Sequence, residues 1–426
     1  MNDTATSGSP PARVPAWSAP SASPIEFSGA RPDFSRLVIR GAFLELVTLG
    51  FYRFWLATDI RRHLWSNTSV GGDAMEYTGT GKELLVGFLF ALAILVPIYL
   101  VYFFIGLEAE RLQAFASIPL GLFFYLFYQF AMYRARRYRL SRTVWRGVRF
   151  WMTGSGWSYA WRAGLWALLV MVTLGLALPW YQAALERFKM KHSHYGDLQG
   201  RFDGTGWHFF KRAGWIWFMG LLIVVLMVAC TVLVVQGPRV GGSVAFLKDY
   251  ARVVGTTGLV TLSLLLVVGS PFAYAAYKAA EWRWWASGIR FGDVRFESTL
   301  PLGALTGLYW KVIGFTVLIM SILSGWIGVV VQTALTTTGA VNKGPEAYAL
   351  ALQQIHVLIL MAVGYLVAAL AFGVVVRVYL RRDVWSRVVA STTVHNLEAA
   401  ANVTARGEAA GALGEGFADN LDIGGI

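Results

Sequence analysis

Cysteine is almost missing from this chain. Cys230 is the only one in 426 residues, which excludes an internal disulfide and a thiolate metal cluster. It sits in an apolar run and reads as a small buried hydrophobe. Charge is scarce as well. Asp, Glu, Lys and Arg make up 14% of the residues, against about 25% in a soluble domain. Residues 84–106, 115–133, 213–238, 253–277 and 312–342 carry no charge at all, and 347–376 holds only His356. About 20 apolar residues cross a bilayer core. Backbone at that depth must bond to itself, so these six stretches are expected as membrane helices. Catalytic patterns are missing too. No phosphate loop ends in Gly-Lys-Ser/Thr, no His-Glu-x-x-His occurs, and no two carboxylates share an apolar stretch. The sequence offers no catalytic residue, no metal ligand set and no cofactor site, so an enzyme is not expected.

What is present is a repeat. Thr48-Leu49-Gly50 through Gly79-Thr80-Gly81 returns without a gap, 125 residues later, as Thr173-Leu174-Gly175 through Gly204-Thr205-Gly206. Trp55 falls on Trp180, Arg62 on Arg187 and Gly71 on Gly196. A fixed-period self-match signals a duplicated architecture. Each copy reads as a basic aromatic helix, a Gly-Asp turn, a short strand, and a Thr-capped start of a long apolar helix. Related hairpins follow the apolar runs that end near 133 and 277. The boundaries expected are a disordered tail at 1–24, a first repeat half at 25–156, a second half with an extra helix pair at 157–398, and a disordered tail at 399–426.

Basic residues give the orientation. Of the 37 Lys and Arg, 27 lie in the hairpin segments and the last segment, and five lie in the connections on the opposite side. Positive charge near helix ends stays in the cytoplasm, so the hairpins and both termini are expected there. The two segments before the repeat, 37–58 and 163–181, then cannot each cross once. The first carries Arg40, Glu45 and Arg53, and the second has Gly175 and Pro179 as breakers. Both read as re-entrant or interfacial helices broken at Thr48 and Gly50, and at Thr173 and Gly175.

Arg134, Arg136, Arg137, Arg139, Arg142 and Arg146 crowd one segment just after an apolar run, interleaved with Tyr138 and Trp145. Beside a bilayer such a cluster suits anionic phospholipid head groups, at roughly 1 kcal/mol per charge. It equally serves as an orientation signal with an aromatic belt. No nucleic-acid-binding module is present. His192-Ser193-His194 lacks further ligands for a metal and reads as solvated turn histidines.

The run Thr48-Leu49-Gly50-Phe51-Tyr52-Arg53-Phe54-Trp55, the run Glu76-Tyr77-Thr78-Gly79-Thr80-Gly81, and Tyr138-Arg139-Leu140-Ser141-Arg142-Thr143 with Trp145-Arg146-Gly147 resemble the YjgN-like family of bacterial inner-membrane proteins. The resemblance covers about 25–395 and implies a polytopic protein of a family without an established biochemical role. Together these readings predict an all-α polytopic membrane protein with internal repeats. It would have about six transmembrane helices, two re-entrant or interfacial helices, and small cytoplasmic β-hairpins. The expected role is transport or permeation of a small solute. The alternative is a non-transport module that binds anionic lipid or a partner protein through its basic face.

Overall fold

A computed structural model describes residues 22–108, 110–240, 245–339 and 344–407, with side chains described outside 105–118, 237–248 and 348. In chain order it contains β1 (Ala22–Phe27), α1 (Arg31–Val47), α2 (Arg53–Ser66), β2 (Thr68–Val70), β3 (Asp73–Tyr77), α3 (Gly81–Glu108), α4 (Glu110–Ser141), β4 (Thr143–Trp145) and β5 (Val148–Met152). Then come α5 (Gly156–Val172), α6 (Leu178–Lys191), β6 (Ser193–Tyr195), β7 (Leu198–Phe202), α7 (Gly206–Val240), α8 (Ala245–Gly288), β8 (Ile289–Phe291) and β9 (Val294–Ser298). The chain ends in α9 (Thr306–Thr337), α10 (Pro345–Leu352), α11 (Ile355–Val376), a π-helical turn (Arg377–Asp383), α12 (Val384–Ala390), β10 (Thr392–His395) and a 3-10 turn (Leu397–Ala400).

The expected all-α class with small hairpins is overturned. All ten strands close into one antiparallel barrel. Each short hairpin alone would leave two unpaired edges, and an isolated two-stranded hairpin is marginal in water. Joined side by side they have no edge. Tyr77 on β3 registers with Thr143 on β4, Met152 on β5 with Ser193 on β6, and Phe202 on β7 with Ile289 on β8. The ring is completed by the two chain ends, with Ala22 opposite His395. β1 therefore begins inside the segment expected as a disordered tail. Strands of both repeat halves share the one barrel.

The interior is filled. Trp145, Tyr195, Val294 and Val394 pack with Leu397 and Ala400 of the segment that follows β10. That segment lies across the turn end. Asn396 Nδ2 donates to the Asp293 carbonyl at 3.3 Å, and the Thr404 N–H donates to Asp197 Oδ1 at 3.2 Å. Gly71 and Gly196 sit beneath it. Their φ values are +59° and +54°, and a Cβ at either would lie 2.3 Å from Leu397 or Val403. Tight two-residue turns need positive φ, and here the cap also needs the space.

Among the described residues, five helices are long and apolar enough to cross a membrane: Gly81–Phe104, Gly206–Gln236, Asp249–Gly288, Thr306–Thr337 and Ile355–Ala390. The sixth expected span, 115–133, falls on α4, and its first four residues lie outside the described side chains.

At both Thr-Leu-Gly sites the helix stops and reverses. Gly50 N–H bonds to the Glu45 carbonyl (2.7 Å) and Gly175 N–H to the Val170 carbonyl (2.8 Å), bonds that wrap the helix end. The hydroxyls of Thr48 and Thr173 then accept from the N–H of Tyr52 (2.9 Å) and Ala177 (3.1 Å) at the start of the next helix. Leu49 and Leu174 take φ of 52° and 49°, a left-handed conformation that costs a side-chain-bearing residue about 1–2 kcal/mol. Both leucines point outward, 85% and 76% exposed.

Candidate functional site

Five helices run toward the barrel: α2, α4, α6, α8 and the α11–α12 segment with its π turn. Five cylinders about 10 Å wide set in a ring leave a hole of roughly 7 Å on the axis. A cavity of about 670 Å³ occupies that place. Each inbound helix presents one stripe to it, at helical spacing. α2 gives Ile60, Arg61, Leu64 and Trp65; α4 gives Tyr128, Met132, Arg136 and Arg139. From α6 come Tyr181, Gln182, Leu185, Glu186 and Lys189; α8 adds Tyr274, Lys278, Glu281, Trp282, Trp284 and Trp285. The last segment adds Val376, Leu380, Arg381 and Val384. Tyr159 and Tyr309 complete the wall from α5 and α9.

Six cationic side chains therefore face two carboxylates, between aromatic walls. Glu186 is the hub of one cluster. It pairs with Lys189 and with Arg136 at 3.7 Å, and accepts from Trp285 Nε1 at 3.2 Å. Burial acts against its charge, but Lys189 and Arg136 outweigh burial and hold the carboxyl below the usual range. Burial, aided by Arg136, outweighs the pull of Glu186 on Lys189 and lowers the ammonium's pKa. In a second cluster, Gln182 Nε2 donates to Glu281 at 3.0 Å and to the Tyr277 hydroxyl at 2.9 Å, while Lys278 pairs with Glu281 at 2.7 Å. Arg136 Nε and Gln182 Oε1 are buried without a protein partner. Buried polar atoms of this kind call for water or a ligand.

The π turn sends neighbouring arginines to different partners. Arg377 bonds Glu45 (2.8 and 3.1 Å), Arg381 faces the cavity, and Arg382 donates to the Gly29 carbonyl at 2.6 Å. Wider helical turns of this type recur at functional sites.

The arginine cluster expected as one basic face is divided. Arg136 and Arg139 line the cavity, whereas Arg134 and Arg137 do not. Arg142 pairs with Glu83 at 2.6 Å, and Arg146 pairs with Asp73 at 2.5 Å while lying 4.5 Å over the Trp145 ring. Thr48, Gly50, Thr173 and Gly175 form the two helical reversals, apart from the cavity. The sequence reading missed Gln182, Glu186, Lys189, Lys278 and Glu281. Their i, i+3 and i, i+4 spacing on basic aromatic helices is a signal, but only the ring shows that the five stripes converge.

His192 and His194 do not share a site. His192 Nδ1 lies 2.7 Å from the Phe188 carbonyl, and His194 stacks on Trp151 with centroids 4.4 Å apart. Burial lowers the pKa of His194 and also of His63, where Arg382 adds to the effect. A depressed folded pKa means the unfolded chain binds the proton more tightly. Stability contributed by the neutral rings is thus present above about 6.5, the ordinary value, and lost as pH falls below it. The unfolding midpoint in detergent is expected to drop between pH 7.5 and 5.5, and less so in His63→Gln/His194→Gln.

Fold and site together define a class: a helical protein with membrane-length apolar helices, in which four helix–strand–strand–helix units and the paired terminal strands close one small barrel over a cationic, aromatic cavity. The chain belongs to the DUF898 family of bacterial proteins of unknown function, whose model matches residues 22–420. This is the YjgN-like family that the sequence motifs resemble. No curated protein and no solved structure matches it.

Proposed function

We propose that this is a multi-pass protein of the bacterial inner membrane, with barrel and termini in the cytoplasm, that binds a small organic anion in the cavity under the barrel. The observation that carries the reading is the lining: six cationic side chains against two carboxylates, set among tyrosines and tryptophans in about 670 Å³. Desolvated cations attract an anion more strongly than they would in water, and aromatic walls suit an apolar body. The excess of basic residues around the barrel supports the cytoplasmic placement. The exposed apolar tips at Val47, Leu49 and Phe51, and at Val172 and Leu174, suit a lipid surrounding.

We favour binding over permeation. A path along the axis meets Trp145, Tyr195, Val394 and Leu397 inside the barrel, so transport requires the C-terminal cap to move. Binding of anionic lipid head groups or a partner through Arg142 and Arg146 would compete with their bonds to Glu83 and Asp73.

Phenyl phosphate, benzyl alcohol and benzylamine test the charge preference by thermal unfolding in detergent. Phenyl phosphate should stabilise the protein, by about 2.7 kcal/mol at one hundred times its dissociation constant. The neutral and cationic analogues should not, and Arg139→Gln/Arg381→Gln should abolish the effect. Equal stabilisation by all three would sink the reading. Flux of phenyl phosphate into proteoliposomes would restore transport.

A further inference from the structure

A second pocket, of about 380 Å³, lies between the start of α5 and the end of α6. Ser155, Ser158, Arg162, Arg187 and Lys191 line it, with His192 at its end, and no carboxylate is among its lining residues. We propose that this cleft is a binding site for the head group of an anionic phospholipid.

The repeat supplies an internal comparison. Shifted by the repeat period, the same positions of the first copy are Ala30, Asp33, Leu37, Arg62, Ser66 and Asn67, and Ala184 corresponds to Asp59. The first copy has one arginine against two aspartates; the second has two arginines and a lysine with no acid. In the first copy Arg62 is paired with Asp59 at 3.7 Å. Both copies keep the arginine that braces the fold: Arg62 donates to the Gly79 carbonyl at 3.3 Å and Arg187 to the Gly204 carbonyl at 3.2 Å. Arg162 and Lys191 are additions that the shared architecture does not need. Arg162 is held 4.6 Å over the Phe188 ring, which fixes its charge at the mouth of the cleft.

The chemistry of the occupant follows from the face of α5. Ser158 and Arg162 begin an exposed stripe at helical spacing that continues through Leu165, Leu169 and Val172. A polar, cationic start followed by an exposed apolar run matches a phosphate head group followed by acyl chains. Trp157 and Trp161, also exposed, flank the polar end as residues of a membrane interface do.

The site is tested by titrating delipidated full-length protein with phosphatidylglycerol and phosphatidylcholine of the same acyl chains, read by native mass spectrometry. One phosphatidylglycerol should bind about tenfold tighter than phosphatidylcholine. Arg162→Leu/Lys191→Ser installs the residues of the first copy, and Ala184→Asp installs its acid. Each should remove the preference while leaving the unfolding midpoint in detergent unchanged. Arg139→Gln/Arg381→Gln should keep the preference, since the site does not depend on the central cavity. A preference that survives both cleft variants would overturn the proposal. So would displacement of the lipid by inorganic phosphate, which would assign the cleft to a free anion.

Discussion

Glu45→Ala and Arg377→Ala are each expected to destabilise the protein by about 3–5 kcal/mol, because each leaves the other charge buried alone. Glu45 is 5% exposed and stands three residues before the reversal at Thr48. Arg377 opens the π turn and grips both carboxylate oxygens, at 2.8 and 3.1 Å. The two-point geometry makes this the strong form of an ion pair. It ties α1 to the π turn between α11 and α12, across a separation of 332 residues. Replacing both by leucine should restore most of the loss, since the desolvation cost of the charges disappears with them. Thermal unfolding in detergent measures all three variants. Single variants that cost less than about 1 kcal/mol would mean that the pair is solvated rather than buried.

Trp145→Ala should cost about 3–5 kcal/mol, through lost burial and the void left in the barrel. The indole is 5% exposed and lies 5.5 Å from the Tyr195 ring. Its Nε1 donates to the Asp73 carbonyl at 3.2 Å, and its own carbonyl accepts from the Tyr195 hydroxyl at 3.0 Å. These bonds link three neighbouring hairpins, so the damage should reach the cap that packs on the same core. Limited proteolysis within Leu397–Arg406 should accelerate along with the loss of stability. Trp145→Phe, which keeps most of the volume, should retain the cap. If the alanine variant unfolds as the wild type does, the barrel interior is not the core assigned to it.

Much of this protein is written in local sequence. Charge-free stretches of this length fix the apolar helices, since a segment without strand partners can satisfy its backbone in apolar surroundings only as a helix. Thr-Leu-Gly marks two reversals because threonine, a left-handed residue and glycine together end one helix and cap the next. Gly-Asp and Arg-Gly mark hairpin turns by their demand for positive φ. The barrel was not legible, because its defining bonds join strands separated by whole helical hairpins, and its last seam joins Ala22 to His395. The cavity was hidden for the same reason. Arg136, Glu186 and Glu281 each read as one polar position on a helix face, and nothing local says that those faces point at one axis. The sequence by itself determined most of the apolar helices, the turns, the repeat and the family. Only tertiary closure decided that four hairpins and the paired chain ends form one ring, and a ring of five helices cannot fill its own centre.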